Sequence, residues 1–457
     1  MHEPPQHAVA VVGGATAGAE VAWRLAERGI LAVVFERGRK PFGKIEDGLP
    51  RWHDKLRRRE YERIAERLAH PMVELVPCTA VGADVDFAEL VDDWGFAAVV
   101  LANGAWRDRP LQLGSGQDPA PLVGRGLEYQ NPFVISFNHE DDPAFEGRHI
   151  EPVDGAAVIG GGLAAIDVAK ILNLSAASKA LAERGIEATP EELEHRGIDR
   201  TLEDHGLTWA ELGLAGATIY YRRRIADMPV AQAPEGADAA RRAKVEATRE
   251  KLVAKVRAKY LVEVVPLAAP EELLVEDERV AGLVLRRNVI AEGKLVATAE
   301  TFEARHPMVV SSIGSIPEPI RGVPMRGELY DFVNWQHGTF EGLENVFAAG
   351  NVLTGKGNIA VSRRHAVEVT EGAIEAFLGL REEEDPDANP SEGPAGVIAR
   401  AAELAEGVAE AAISRSPLDA EALAELRRRI AARQAAVGYQ GDLATWLEAK
   451  PPAERRS

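Results

Sequence analysis

Residues near the start of the chain have the types and spacing of a nucleotide-binding site. The segment GGATAG at 13–18 follows the apolar run Val9–Val12, and Glu36 ends the next apolar run, after an amphipathic segment. Turn glycines let a pyrophosphate approach the backbone, a helix N-terminus offers free N–H groups, and a carboxylate receives ribose hydroxyls. The order predicts a strand, turn, helix and strand that bind a dinucleotide. A tight packing turn without a ligand is the alternative.

The same arrangement recurs farther along the chain. The segment GGGLAA at 160–165 follows a short apolar run, and the next strand of this unit, expected at 217–221, ends in the arginine run 222–224 where the first unit has Glu36. Guanidinium groups pair with a 2′-phosphate, whereas an acid accepts hydrogen bonds from an unmodified ribose. The second site is therefore predicted to prefer NADP(H) to NAD(H), unless the arginines only line a surface loop.

Composition excludes several classes of protein. The 457 residues include one cysteine, Cys78, so the chain cannot form an internal disulfide, a CxxC redox pair or a cysteine-ligated iron–sulfur cluster of its own. The net charge of -19 argues against nucleic acid as the main partner. We find no long apolar segment and no signal-peptide pattern, so we expect no membrane span and a cytoplasmic location. We also expect no metal site, and the sequence leaves the oligomeric state open.

The order of strands, turns and linkers predicts an α/β fold with two Rossmann-like dinucleotide-binding domains, the second inserted in the first, plus a C-terminal helical extension. The predicted units are, in chain order, a discontinuous first domain at 1–125 and 306–380, a second domain at 126–305 with a helical insertion at about 173–214, an acidic linker at 381–396 and a helical tail at 397–457. The tail has two open roles, packing across a dimer partner or covering the surface of its own chain.

From Val9 to Leu378 the sequence resembles the adrenodoxin reductase-like flavoproteins, which are ferredoxin-NADP reductases with two dinucleotide-binding domains. It is more distantly similar to the small subunit of glutamate synthase. The order and spacing of short segments carry the resemblance: the two glycine turns, PFG at 41–43, GLPRWH at 48–53, VGADV at 81–85, FV at 133–134, FNH at 137–139, IG at 313–314, PI at 319–320 and the stretch 349–366. The segment YRR at 221–223 with MP at 228–229 looks more like the glutamate synthase relative.

The resemblance implies FAD in the first domain, NADP(H) in the second, hydride transfer from nicotinamide to flavin, and delivery of single electrons to an iron–sulfur protein. The candidate cofactor-binding residues are then, for FAD, Gly13, Gly14, Ala15, Ala17, Gly18, Glu36, Arg37, Val81, Ala102, Gly104, Gly350, Asn351, Gly357, Asn358 and Ile359, and for NADP(H), Gly160, Gly162, Leu163, Ala164, Arg222 and Arg223. Two positions depart from the pattern, since Ala15 replaces the usual middle glycine and Asn351 stands where many relatives have aspartate.

Two candidate catalytic residues come from the same resemblance. His53 and Asp167 occupy positions where the family places a histidine and an aspartate near the flavin, proposed to assist proton movement. A histidine in a cofactor loop can titrate near neutral pH, and an aspartate one turn into a helix lies where the helix dipole favours its anion. The alternatives are a surface-loop histidine and a carboxylate of purely structural use.

A basic segment from Ala239 to Tyr260 contains eight basic and two acidic residues. It is interpreted as a face that docks ferredoxin or another acidic iron–sulfur electron carrier, or as the solvated face of an amphipathic helix packed by Val245, Leu252 and Val256, and the two are compatible.

The predicted function is therefore an FAD-dependent NADPH oxidoreductase that passes electrons to a separate carrier such as ferredoxin. One alternative is an NAD(P)H-oxidising flavoprotein subunit of a larger iron–sulfur oxidoreductase complex, similar to the glutamate synthase small subunit. The other is a non-catalytic nucleotide-binding interaction protein.

Overall fold

The structure of the chain, a computed structural model, describes residues 4–233, 236–335, 338–353 and 394–449. The candidate residues Gly357, Asn358 and Ile359, and most of the predicted linker, lie outside the described residues.

The elements alternate between strands and helices over most of the chain. The strands are β1 Ala8–Val12, β2 Leu31–Phe35, β3 Val73–Val76, β4 Ala98–Leu101, β5 Arg107–Asp108, β6 Leu127–Tyr129, β7 Ala157–Gly160, β8 Thr218–Tyr221, β9 Glu263–Pro266, β10 Ala268–Glu276, β11 Arg279–Ala291, β12 Lys294–Arg305, β13 Val309–Ser312, β14 Ser315–Ile316, β15 Met325–Arg326, β16 Leu329–Tyr330, β17 Phe332–Asn334, β18 Thr339–Phe340 and β19 Val346–Ala348. The α-helices are α1 Thr16–Glu27, α2 Lys44–Asp47, α3 Asp54–Leu68, α4 Phe87–Asp92, α5 Gln130–Asn138, α6 Leu163–Ala182, α7 Pro190–Arg196, α8 Ile198–Asp204, α9 Trp209–Leu212, α10 Ala239–Tyr260, α11 Pro394–Ile413, α12 Ala420–Val437 and α13 Leu443–Glu448. Short 3-10 turns lie at Ala120–Leu122, Ile225–Asp227 and Gly350–Leu353.

The first unit is built on a parallel sheet with strand order β19-β4-β1-β2-β3. Val9 of β1 pairs with Ala32 of β2 on one side and with Ala98 of β4 on the other. Strands β1, β2 and β4 are buried along their whole length, as expected for a parallel sheet covered on both faces. Because the strand order reverses at β1, the carboxyl end of β1 is where such sheets bind ligands.

The second unit has its own parallel sheet, with order β6-β13-β7-β8-β9. A three-stranded antiparallel sheet, β10-β11-β12, lies between β9 and β13 in the chain. The chain returns to the first sheet with β19, which pairs with β4. Two parallel sheets, one interrupting the other, confirm the predicted fold class.

The predicted return to the first unit at residue 306 is wrong. Val309 of β13 pairs with Ala157 of β7 and with Leu127 of β6, so this strand belongs to the second sheet. The pattern of an apolar strand followed by Gly314 fits either sheet equally well, and only the strand pairing separates the two. The other predicted domain bounds stay predictions.

The chain between β7 and β8 is helical, and α6 runs unbroken to Ala182. Thr189 opens α7 with a capping box, in which its hydroxyl accepts from the N–H of Glu192 and the Glu192 carboxylate accepts from the N–H of Thr189. Leu193 of α7 and Ile198 of α8 are fully buried in the core of the second unit. The insertion is therefore part of that core.

The C-terminal region is helical, as predicted, and it covers the first unit. Ala401 and Ala405 of α11 pack into the apolar cluster that contains Val9, on one face of the first sheet. Leu426 and Ile430 of α12 pack into the cluster on the other face. The tail thus takes the second of its two open roles, burying the surface of its own chain.

Candidate functional site

The turn after β1 brings strand, helix and neighbouring strand close together. Gly13 has φ +98°, and a Cβ atom there would lie 2.7 Å from the carbonyl oxygen of Ala102 at the end of β4. A Cβ atom on Gly18 would lie 1.8 Å from the carbonyl oxygen of Gly13. Side chains at these two positions would push α1 away from the sheet. The turn therefore has the glycine-dependent geometry that lets a pyrophosphate reach the backbone.

The N-terminus of α1 is open toward this turn. Its N-cap residue, Ala15, offers no side-chain cap, and the first turn of the helix contains no acid. The first N–H groups of a helix have no partner inside the helix, so they and the helix dipole favour an anion here. Gly350, from the end of the first sheet, lies against the same turn, since a Cβ atom on Gly350 would meet the Ala17 methyl at 2.7 Å.

Ala15 is accommodated by a glycine on the facing loop. A Cβ atom on Gly43 would lie 2.8 Å from the Ala15 methyl group. The extra methyl therefore occupies space that the absent side chain of Gly43 leaves. The sequence singled out both residues, but only the fold shows that they face each other.

Glu36 is held directly beneath the glycine turn. The N–H of Gly14 donates to its Oε2 at 2.8 Å, and the N–H of Gly38 donates to its Oε1 at 2.8 Å. Burial raises the pKa of this carboxyl group, and the two N–H donors act in the opposite direction. A carboxylate has about four acceptor positions, so two remain for hydroxyl donors such as those of a ribose.

An aromatic side chain that the sequence reasoning missed lies beside this site. Trp106 is half-buried, and its ring is near Gly104 and Gly43. The Arg37 guanidinium lies 5.0 Å from the ring centroid, and Lys44 Nζ lies 5.5 Å from it. Arg37 also forms an ion pair with Glu318. The signal available in the sequence was the position of Trp106 just after the small-residue turn that ends β4.

Two further candidates of the first unit, Val81 and Asn351, differ in burial. Val81 is buried in the same apolar cluster as Val12, so its side chain is part of the core. Asn351 is exposed in the 3-10 turn that begins at Gly350.

The second glycine turn is equally tight at its start and more open at its end. A Cβ atom on Gly160 would lie 2.3 Å from the carbonyl oxygen of Ser312, and one on Gly161 would lie 2.3 Å from the Tyr221 ring. At Gly162 the nearest atom to such a Cβ is 4.0 Å away. Gly162 is the N-cap of α6, which has no side-chain cap and no acid in its first turn.

Leu163 and Ala164 are the first two residues of α6, directly after this turn. Leu163 is buried and Ala164 is partly exposed. Their backbone N–H groups belong to the open first turn of the helix, where an anion is favoured.

The three arginines after β8 have different environments. Arg224 forms a bidentate pair with Asp227, at 2.9 and 3.0 Å. Arg223 is 3.5 Å from the same carboxylate. Arg222 is exposed and forms no ion pair within the part of the chain that the structure describes. Arg222 and Arg223 are therefore the two guanidinium groups available to a phosphate beside the second turn.

A buried group of polar and aromatic side chains joins the two units. We call it the junction cluster, and its members are Trp52, His53, Asp167, Lys170, Glu194 and Tyr260. Trp52 comes from the first unit but packs in the core of the second, 5.4 Å from the Phe137 ring. Lys170 Nζ donates to Glu194 Oε1 at 2.7 Å, and the Lys170 side chain is fully buried.

His53, a candidate catalytic residue, is buried in this cluster, which rules out the surface-loop alternative. The Trp52 indole N–H donates to His53 Nε2 at 3.2 Å. Because an indole N–H is only a donor, Nε2 must be the acceptor and the neutral ring carries its proton on Nδ1. Burial lowers the pKa of His53 to about 3, and the positive charge of Lys170 acts in the same direction.

Asp167, the other candidate catalytic residue, lies one turn before Lys170 on α6. Burial raises its pKa to about 7, Lys170 lowers it and Glu194 raises it. Its Oδ1 atom is buried and has no hydrogen-bond partner among the described residues. The structure thus brings both candidates to the same Lys170–Glu194 ion pair. Sequence reasoning missed the pair, although the charged insertion was a visible signal.

The basic segment forms α10, whose apolar face is buried at Leu252 and Val256. Arg242 and Lys244 are exposed near the start of the helix. Arg249 instead donates to the backbone oxygens of Ala231 and Ala226, at 2.8 and 2.7 Å. The amphipathic interpretation is therefore correct for the buried face. Exposed basic residues occur along the helix, at Arg242, Lys244, Lys251 and Arg257, and Arg257 pairs with Glu263.

Within the described ranges, no group of three or more His, Cys, Asp or Glu residues is arranged to hold a metal ion. No described helix is both long and apolar enough to cross a membrane.

Comparison with known proteins supports the resemblance. The chain is 26% identical to NADPH:adrenodoxin oxidoreductase, mitochondrial, of Arabidopsis thaliana over 353 residues, which cover 70% of each protein. It is 36% identical to the glutamate synthase [NADPH] small chain of Mycobacterium tuberculosis over 105 residues, which cover 22% of this chain and 21% of that one. No protein-family model matches. The predicted homology to these two kinds of oxidoreductase is confirmed.

A solved structure shares the fold. FprA from Mycobacterium tuberculosis matches with a TM-score of 0.60 and 20% identity, covering 94% of this chain and 91% of FprA. A structure of FprA in complex with NADPH matches with a TM-score of 0.59 and 21% identity.

Proposed function

We propose that this protein is an FAD-dependent oxidoreductase that takes electrons from NADPH and passes them to a separate iron–sulfur carrier such as ferredoxin. The observation that supports this most is the presence of two glycine turns with opposite chemistry, an acid after the first and arginines after the second. The similarity to NADPH:adrenodoxin oxidoreductase over 70% of each protein supports the same reaction.

The residues of the first turn fit FAD. The Cβ-free turn at Gly13 and Gly18, the uncapped start of α1 and the acceptor positions left on Glu36 match a pyrophosphate followed by a ribose. Bound FAD supplies the conversion of a two-electron hydride donor into single-electron transfers. We propose that the FAD contacts come from Gly13, Gly14, Ala15, Ala17, Gly18, Glu36, Arg37, Val81, Ala102, Gly104, Gly350, Asn351, Gly357, Asn358 and Ile359.

The residues of the second turn fit the pyrophosphate of NADPH. Gly162 leaves open space at the uncapped start of α6, and the exposed Arg222 can pair with a 2′-phosphate. We propose that the NADPH contacts come from Gly160, Gly162, Leu163, Ala164, Arg222 and Arg223.

We propose that the chain's own contribution to the chemistry is to hold one proton near neutral pH. Asp167 can carry it, because burial raises its pKa to about 7. His53 stays neutral, with Nδ1 as its donor atom, because Trp52 occupies Nε2. In this arrangement His53 orients a partner through Nδ1–H while Asp167 takes up or releases the proton.

The exposed basic residues at the start of α10 are proposed to dock an acidic carrier, because opposite charge speeds the encounter of electron-transfer partners. Replacing Arg241, Arg242 and Lys244 together by glutamate is expected to raise the KM for a plant-type ferredoxin by about tenfold or more at low salt, without changing the rate of dye reduction. As a control, the same replacement of Arg415, Arg427 and Arg428, exposed on the tail, should leave the ferredoxin KM unchanged. Equal effects of the two triple variants would contradict this docking face.

A second candidate function is the flavoprotein subunit of a larger complex. The similarity to glutamate synthase small chains favours it, although the match covers about a fifth of the Mycobacterium tuberculosis relative. With a single cysteine, this chain would need a partner to supply the iron–sulfur relay. Co-purification with a large iron–sulfur protein from the native host would support this alternative.

The deciding experiment is to purify the protein, record its visible spectrum, compare reduction by NADPH and NADH, and then screen acceptors. We expect a yellow protein that NADPH bleaches faster than NADH does. A colourless protein that shows no absorbance change with either nucleotide, even after incubation with FAD, would favour the non-catalytic alternative. The cytoplasmic location stays a prediction, and the Arabidopsis relative is mitochondrial by name.

A further inference from the structure

The junction cluster contains two charged residues, Lys170 and Glu194, to which the proposed reaction assigns no role. Lys170 and Glu194 form an ion pair whose two side chains are almost completely buried. A buried ion pair is costly to desolvate and is weak evidence for stability, so its presence calls for another explanation. Its location beside Asp167 and His53 gives one.

Two aromatic rings, from the loop before α3 and from α10, lie against the pair. Lys170 Nζ lies 4.8 Å from the Trp52 ring centroid and 4.7 Å from that of Tyr260. The Tyr260 hydroxyl donates to Glu194 Oε1 at 3.1 Å, in addition to the Lys170 bond at 2.7 Å. The ammonium and the carboxylate are therefore fixed in position, because each has partners from at least two directions.

Glu194 comes from the insertion. It lies on α7, and the same helix carries Glu191, which pairs with Arg51 immediately before Trp52 and His53. Arg51 Nη1 also donates to the backbone oxygen of Phe137 in the second unit, at 3.2 Å. One short helix thus holds the His53 loop through Glu191 and faces Asp167 through the Glu194 ion pair.

We propose that Lys170 and Glu194 are positioning residues that set whether Asp167 holds a proton, and that α7 of the insertion is the element that brings this control to the junction between the units. The chemical consequence rests on the proposed function, in which Asp167 handles a proton. The control of Asp167 itself does not depend on it.

The direction of control follows from charge. The Lys170 ammonium favours the ionised carboxylate of Asp167, and Glu194 opposes it. Burial would raise the pKa of Glu194, but Lys170, by its charge and its hydrogen bond, brings the net shift below the ordinary value, so Glu194 stays ionised. The two partners therefore act on the pKa of Asp167 in opposite directions, Lys170 more strongly than Glu194, and burial has the largest effect.

Other titratable groups belong to the junction cluster or act on its members through their charge. They are His53 in the loop before α3, Arg57 on α3, Asp199 and Arg200 on α8, and Lys259 and Tyr260 on α10. Burial lowers the pKa of Lys259 to about 8 and raises that of Tyr260. Asp167, with a pKa of about 7, is therefore expected to change its charge at neutral pH, and Lys259 about one pH unit higher.

The test measures the protonation of Asp167 directly. The carboxyl carbon of Asp167 is followed by NMR in protein labelled at aspartate, with Asp167→Asn identifying the signal, and the midpoint of its titration is compared between variants. We expect a midpoint near neutral in the unaltered protein, a rise of about one pH unit in Lys170→Met and a fall of about one unit in Glu194→Gln. The double variant, which removes both charges, should have a midpoint no higher than that of Lys170→Met and above that of Glu194→Gln.

The control is Glu128→Gln, which removes a buried glutamate from its ion pair with Arg148 elsewhere in the second unit. It should leave the Asp167 midpoint unchanged, even where it lowers the melting temperature. Should the Lys170 or Glu194 variants fail to fold, Tyr260→Phe removes only the hydroxyl, which lies 3.1 Å from both Oε1 and the backbone oxygen of Glu194, and should still move the midpoint measurably.

An Asp167 midpoint near the ordinary aspartate value, or one that is the same in all junction variants, would overturn the proposal. Because this titration needs no electron donor or acceptor, that result is distinguishable from failure of the proposed function. If the midpoint shifts as expected while NADPH reduces nothing, the positioning role stands and the oxidoreductase assignment is the part that fails.

Discussion

The two glycine turns have the same backbone design and differ in the residues directly after the second strand of each unit. After β2, both oxygens of Glu36 are held by the N–H groups of Gly14 and Gly38. After β8, Arg222 is exposed and has no ion-pair partner in the described part of the chain. The comparison leads us to propose that the turn binds phosphate in both units, whereas the residue after the neighbouring strand selects the ribose chemistry.

The two turns also differ in their support. The loop after Glu36 is held by the tail, since the Trp446 indole N–H donates to the backbone oxygen of Arg39 at 2.8 Å and the Arg39 guanidinium lies 4.0 Å from the Trp446 ring centroid. The second turn is instead packed by Tyr221, from the adjacent strand. The first site therefore depends on a distant part of the chain, and the second depends on its own unit.

The largest effect is expected from adding a methyl group at Gly18 of the first turn, where space is tighter than at Gly162 of the second turn. Gly18→Ala places a Cβ atom 1.8 Å from the carbonyl oxygen of Gly13, so α1 must move. We expect a loss of about 3 kcal/mol in the free energy of unfolding and loss of bound flavin, measured by thermal unfolding and visible absorbance. Gly162→Ala is the matched control, because the nearest atom there is 4.0 Å away, and it should retain both flavin and stability. If Gly18→Ala binds flavin as well as the unaltered protein does, the proposal that this glycine turn binds FAD is contradicted.

A smaller effect, on coenzyme preference, is expected from replacing the arginines that follow β8. Replacing Arg222 and Arg223 by alanine removes two charge-assisted contacts to a 2′-phosphate, so the preference for NADPH over NADH in kcat/KM should fall by roughly 10- to 100-fold. Arg224→Ala is the control, because Asp227 already binds that guanidinium in a bidentate manner. A preference that survives the double replacement would place the phosphate elsewhere.

The smallest effect tests the dependence of the first site on the tail. Trp446→Ala removes the hydrogen bond and the ring contact to Arg39, and so loosens the loop that presents the Gly38 N–H to Glu36. We expect flavin affinity to fall by about tenfold, while the Kd for NADPH stays the same, measured by fluorescence titration of the flavin-free protein. The exposed neighbour Glu448→Ala should change neither affinity. A parallel loss of NADPH binding would show that Trp446 acts on overall stability instead.

Much of the fold could be predicted from the sequence. The helical tail is one example, because the apolar periodicity of its helices and their Asp419 and Asp442 caps are local signals. Local signals do not always suffice: the segment at 81–85, although partly apolar, forms only an isolated bridge between Val81 and Val85.

Other features depended on contacts between distant parts of the chain. The burial of His53, the choice of Nδ1 as its protonated atom, and the proximity of Lys170 and Glu194 to Asp167 all require the second unit and the insertion to close around the loop at 51–53. The same holds for Ala15, whose fit depends on the facing glycine at position 43.

The sequence by itself determined the two strand-turn-helix units, the acid after one and the arginines after the other, because glycine conformation and apolar periodicity act over a few neighbouring residues. Only the tertiary structure decided which sheet β13 joins, what the tail covers, and which groups share the buried junction. Strand pairing, desolvation and charge interactions depend on distances between groups that are far apart along the chain, so no local pattern encodes them.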